Sequence, residues 1–91
     1  REGLSGIMDT SLPEEYADEM IAHILTVDGV RQVKQVRARQ AGRYILLDII
    51  MQLDADINIL EAKRINQRVK AYLRSADKYI RNIVIQVVPA G

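Results

Sequence analysis

Val30–Asp54, VRQVKQVRARQAGRYILLDIIMQLD, is the stretch that decides the fold. From Tyr44 its residues alternate: Ile45, Leu47, Ile49, Met51 and Leu53 fall on one side, and Tyr44, Leu46, Asp48, Ile50 and Gln52 on the other, the two-residue period of a strand. Gly42, following Ala41, supplies the turn of an antiparallel hairpin with one thoroughly apolar face. The arm before it is less regular, because Val30, Val33 and Val36 stand three apart. That spacing predicts a bulge or a late strand start between Gln32 and Gln35.

Beyond the hairpin, Asn58 with Glu61 three residues on is a capping signal, and Ile57 is placed to staple over Ala62. A helix is predicted from there to about Ala76, with Ala62, Ile65, Val69, Tyr72, Leu73 and Ala76 as its apolar stripe. Lys63, Arg64, Gln67, Arg68, Lys70 and Arg74 fall on its other side, where a solvated helix face accounts for the basic run. Tyr79–Val88 alternates again and reads as the last strand, ended by Pro89; Ile83, Ile85 and Val87 lie on one face, Asn82, Val84, Gln86 and Val88 on the other.

Before the hairpin, Ser11 is the expected cap of a first helix, with Pro13 in its first turn and Glu14 three residues on. Tyr16, Ala17, Met20, Ile21, Ile24 and Leu25 form its stripe, and Val27-Asp28-Gly29 ends it. Residues 1–10 carry little periodicity and read as a linker from an upstream segment, the start at Arg1 suggesting an excised piece; residues 11–91 are then one domain. The fold class is α+β, a ferredoxin-like two-layer sandwich in αββαβ order. Two helices cover one face of a three-stranded sheet, and the first ferredoxin-like strand is missing.

A chain of 91 residues holds one modest core. Lys and Arg total 13 against 12 for Asp and Glu, so bulk charge gives no reason to expect a nucleic-acid partner. With no cysteine, disulfides and thiolate metal sites are excluded. No apolar run approaches the roughly 20 residues that span a bilayer. Enzyme chemistry finds little support: His23 is the sole histidine, the serines have no evident base, no glycine-rich phosphate loop is present, and Asp54 and Asp56 are explained by the helix start beside them. Glu19 and His23, one helical turn apart, and Asp48 are weak metal candidates. Two ligands seldom make a site, and Asp48 is better explained as an ion-pair partner of Lys34 or an arginine.

The uncovered sheet face is the informative feature. Leu46, Ile50, Val84 and Val88 would stand there against water, and adjacent apolar groups on a sheet face mark a partner surface, here expected to be a second copy of the chain.

Five segments in order, Ile7–Glu15 (IMDTSLPEE), Asp28-Gly29-Val30, Val36–Gly42 (VRARQAG), Leu47-Asp48 and Ile85–Pro89 (IQVVP), resemble the cytoplasmic C-terminal domain of cation diffusion facilitator transporters. The resemblance covers almost the whole chain. It implies a domain at the cytoplasmic face of a membrane, following the last transmembrane helix of a proton-coupled exporter of zinc-, manganese- or iron-type ions, and paired with its twin in a V-shaped homodimer. Family domains bind Zn²⁺ or a similar ion near that interface and so regulate the membrane part. By the same resemblance the usual ligand histidines fall at Lys34, Ile50 and Gln86, none of which is histidine here. No cofactor is therefore assigned to this domain, a divalent transition metal being left to the full-length protein, and hydrophobic contact is expected to replace the metal bridge. Asp9 matches an acidic position that locks the domain's hinge to a lysine of a membrane helix. The alternative function is a free-standing ferredoxin-like regulatory module that binds a small ligand at a dimer interface; an acylphosphatase-type enzyme lacks its phosphate loop here.

Overall fold

The structure, a computed structural model, describes residues 10–90. Its elements are β1 (Thr10–Ser11), α1 (Glu14–Leu25), β2 (Gln32–Ala41), β3 (Tyr44–Leu53), α2 (Ile59–Ala76) and β4 (Ile80–Pro89). The three long strands form the expected sheet, and the two-residue β1 adds to its edge, giving the order β1-β2-β3-β4. β2 and β3 pair antiparallel around Gly42-Arg43. Only Gly42 of those two has positive φ, +63°, which is the type II′ pattern. β4 runs parallel to β3, as a strand returning through a crossover helix must.

The irregular arm of the hairpin contains the expected bulge. Val33 faces Met51 and Gln35 faces Ile50, so Lys34 is the extra residue. One residue's displacement restores the alternation: Val36 and Ala38 then align with Ile49 and Leu47 on the core face.

Both helices lie on that face and run antiparallel to each other, with Tyr16 meeting Asp77 and His23 meeting Tyr72. Met20 and Ile24 from α1, Leu47, Ile49, Met51 and Leu53 from β3, and Ile65, Val69 and Leu73 from α2 are the fully buried side chains. Each such burial is worth roughly 1.5–3 kcal/mol. Leu25, Tyr72 and Ala76 sit at the rims of their expected stripes and stay exposed. Val87 shares a register position with Met51 but remains exposed, because β4 is the edge strand.

Asn58 caps α2 as expected, its Oδ1 accepting from the Glu61 N–H at 2.8 Å. The Ser11 cap does not form. Ser11 is paired with Arg39 in β1, and the Leu12 N–H donates to the Ala38 carbonyl at 3.0 Å. The chain is thus still extended where the cap was expected, and α1 begins after Pro13, with Glu14 and Glu15 in its first turn favoured by the helix dipole. Thr10 pairs with Gln40, so strand pairing crosses the expected linker boundary. Asp9, the expected hinge residue, lies outside the described residues.

Candidate interaction face and the metal-ligand positions

Strand register arranges the uncovered face in rows across β2, β3 and β4: Gln35, Ile50 and Gln86; Arg37, Asp48 and Val84; Arg39, Leu46 and Asn82. Gln52 and Val88 begin a further row below, and Tyr44 stands at the top. Val84 is 62% exposed, whereas Leu46, Ile50 and Val88 are half-buried by their neighbours. Apolar groups thus alternate with a charged row. The Arg39 Nη2 donates to Asp48 Oδ2 at 3.2 Å, so Asp48 takes an arginine as its partner and not Lys34. A pair this exposed contributes about 0–1 kcal/mol. Arg37 faces Asp48 directly across the strand pair. Alternation from Tyr44 had located the apolar members; the arginines were legible only once the bulge fixed the register of β2.

The three positions carried over by resemblance converge. Ile50 and Gln86 are register partners, and Lys34 is the bulged residue next to Gln35, which pairs with Ile50 from the other side. A shallow groove here is lined by Gln35, Arg37, Asp48, Ile50, Val84 and Gln86. Its donor set is two amides and one carboxylate already paired to arginine. Neutral amide oxygens are weak ligands for a transition metal, and the guanidinium of Arg37 opposes a cation. Among the described residues no three His, Cys, Asp or Glu side chains come together.

His23 lies in the helix layer, on the other side of the sheet. Its Nε2 is 4.0 Å from Glu19 Oε2, and its ring meets Tyr72 edge-on at 5.5 Å between centroids. Packing between α1 and α2 explains this histidine; Asp48 and the Glu19–His23 pair are not brought together. Nearby, the Tyr16 hydroxyl donates to Asp77 Oδ2 at 2.8 Å. Burial, and then the bond to Asp77 and the charges of Asp77 and Glu19, push the Tyr16 phenol well above its ordinary range.

Two surface features escaped the sequence reading. Ile59 and Leu60, in the first turn of α2, are 85% and 65% exposed, barer than anything apolar on the sheet face. At the opposite end of the sheet, the guanidinium of Arg81 lies 4.2 Å from the centroid of the Tyr44 ring and that of Arg43 5.7 Å from it.

Two helices over one face of a mixed sheet, with rows of apolar and charged groups on the other, define a small ferredoxin-like α+β domain. The chain belongs to the family described as cation efflux protein, cytoplasmic domain, whose profile matches residues 12–90. Among curated relatives, the manganese efflux system protein MneP of Bacillus subtilis (strain 168) is 28% identical over 89 residues, covering 98% of this chain. The magnetosome protein MamB of Magnetospira sp. (strain QH-2) is 23% identical over 88 residues, covering 97% of this chain. The chain spans 30% of the length of each. Among solved structures, a nickel form of a MamM CTD variant superposes with a TM-score of 0.81 at 24% identity, over 87% of this chain and 100% of the other. A second MamM CTD variant gives 0.80 at 24% identity, over 86% and 96%. These superpositions establish the shared fold. No described helix is long and apolar enough to cross a membrane.

Proposed function

We propose that this domain pairs with a second copy of itself through the uncovered sheet face, and that the pair regulates proton-coupled export of a divalent metal ion by a membrane domain of the same chain. The observation behind the proposal is the convergence of Lys34, Ile50 and Gln86 on neighbouring positions of a face that also exposes Val84. At the place where relatives are expected to hold an ion, this chain has a lysine, an isoleucine and an amide. Hydrophobic contact between copies takes over the role of the bridge, and pairing is constitutive instead of metal-driven. Manganese, named for the relative MneP, is the leading cargo, with zinc and iron as the other candidates. Residues 1–9 then serve as the linker to the membrane part, Thr10 already pairing in the sheet, and Asp9 as its hinge contact.

Calorimetric titration with Zn²⁺ and Mn²⁺ tests the metal half of this reading, because a tight site needs roughly three or more protein ligands of suitable type. The expected result is no tight, stoichiometric heat and no compaction of the pair by scattering. A tight heat that survives His23→Ala and comes with compaction would show that carboxylates such as Asp48 rebuild an interface site.

A further inference from the structure

The end of the sheet at which the described chain begins gathers cationic and aromatic side chains. Thr10 pairs with Gln40, one residue short of the end of β2, and β2 turns at Gly42-Arg43 into Tyr44. The Tyr79 carbonyl accepts from the Ile45 N–H at 2.8 Å, which sets the connection between α2 and β4 against the same turn. Arg43, Tyr44, Lys78, Tyr79 and Arg81 therefore share one end. Arg81 and Arg43 lie over the Tyr44 ring, and the Lys78 Nζ lies 5.4 Å from the centroid of the Tyr79 ring. Both rings are partly bare, 38% and 44% exposed. Asp77, in the connection before β4, accepts from the Tyr16 hydroxyl and the Tyr79 N–H. Glu14 and Glu15, in the first turn of α1, lie on the helix side of this same end, where Tyr16 meets Asp77.

We propose that this cationic and aromatic end docks on anionic phospholipid headgroups of the membrane from which the chain emerges. The proposal rests on the reading of the chain as one part of a membrane exporter. A chain arriving at Thr10 from a bilayer brings this end, and not the Ile59-Leu60 end, to the headgroups. Arginine pairs bidentately with phosphate, and tyrosine is suited to a boundary where one part of the ring is apolar and the hydroxyl is wet. The competing basic surface, on α2, has Arg64 paired with Glu61 at 3.4 Å, and its exposed tyrosine, Tyr72, one turn beyond Arg68, packs edge-on against His23.

Flotation of the chain with vesicles of phosphatidylcholine, with and without phosphatidylglycerol, tests the proposal. Binding is expected only with phosphatidylglycerol and should fall as salt rises. Arg43→Glu combined with Arg81→Glu should lower the partition coefficient at least about ten-fold, while Lys63→Glu combined with Arg68→Glu changes it less than about two-fold. Arg43→Gln with Lys78→Gln leaves the Arg81–Tyr44 contact in place and should weaken binding in the same direction, should the first pair fail to fold. Absent flotation, equal flotation on phosphatidylcholine, or an equal loss in the α2 variant overturns the proposal. A dimer that does not float overturns this inference and leaves the pairing reading standing; a monomer that floats does the reverse.

Discussion

At position 29 the backbone turns with φ +101°, and a Cβ there would collide with the Ile65 side chain in the core. Gly29→Ala combines a left-handed strain with overpacking and should cost about 2 kcal/mol, seen as a lower denaturation midpoint. Gly42 also has positive φ, +63°, but nothing lies within 4 Å of a Cβ built there. Gly42→Ala should therefore cost only the conformational part, roughly 1 kcal/mol. Tyr16 gives a pH dependence. Its phenol is raised in the folded state above the ordinary value of 10.0, so its contribution is fully present below that pH and is lost as pH rises further, when the unfolded chain ionises first. Tyr16→Phe should flatten this alkaline decline in thermal stability; an unchanged decline would place its origin elsewhere. An ion pair at Asp48, with Lys34 or an arginine, could be anticipated from charge and alternation; its being Arg39 followed only once the bulge fixed the register of β2. The Tyr16–Asp77 bond could not, since it joins residues far apart in sequence, one before the hairpin and one after α2.

Among the elements, the two expected helix caps separate cleanly. Asn58→Ala removes an acceptor for the Glu61 N–H and should cost about 1 kcal/mol. Ser11→Ala should be nearly neutral, because α1 has no side-chain cap and Ser11 stands exposed in the edge pairing. Equal losses in denaturant midpoint would contradict the placement of α1's start. Periodicity made β3 and α2 readable because each buries one regular face. It also flagged a bulge or late strand start between Gln32 and Gln35, where Lys34 is the extra residue, since three-residue spacing of valines fits neither a strand nor a helix throughout. The start of α1 was obscured because the same serine–proline–glutamate run suits an extended edge followed by a helix one step later, and only pairing with Arg39 decides between them. The parallel course of β4 beside β3 is likewise a matter of how the crossover packs, which the strand's own alternation does not encode.

For the molecule as a whole, the sheet's uncovered face and the basic end were unequally legible. Apolar positions on β3 and β4 follow from alternation, whereas the cluster of Arg43, Tyr44 and Arg81 depends on two segments meeting at the turn. The central claim is pairing through the uncovered face without metal, and Ile59-Leu60 is the rival surface because it is the more exposed. Molar mass by light scattering after size exclusion, with a chelator present, separates the two. The parent chain should have the mass of a dimer; Ile50→Lys, which sets a charge in the contact, should shift it toward monomer, and Ile59→Lys should leave it dimeric. A monomeric parent, or a dimer that Ile59→Lys breaks and Ile50→Lys does not, would contradict the account.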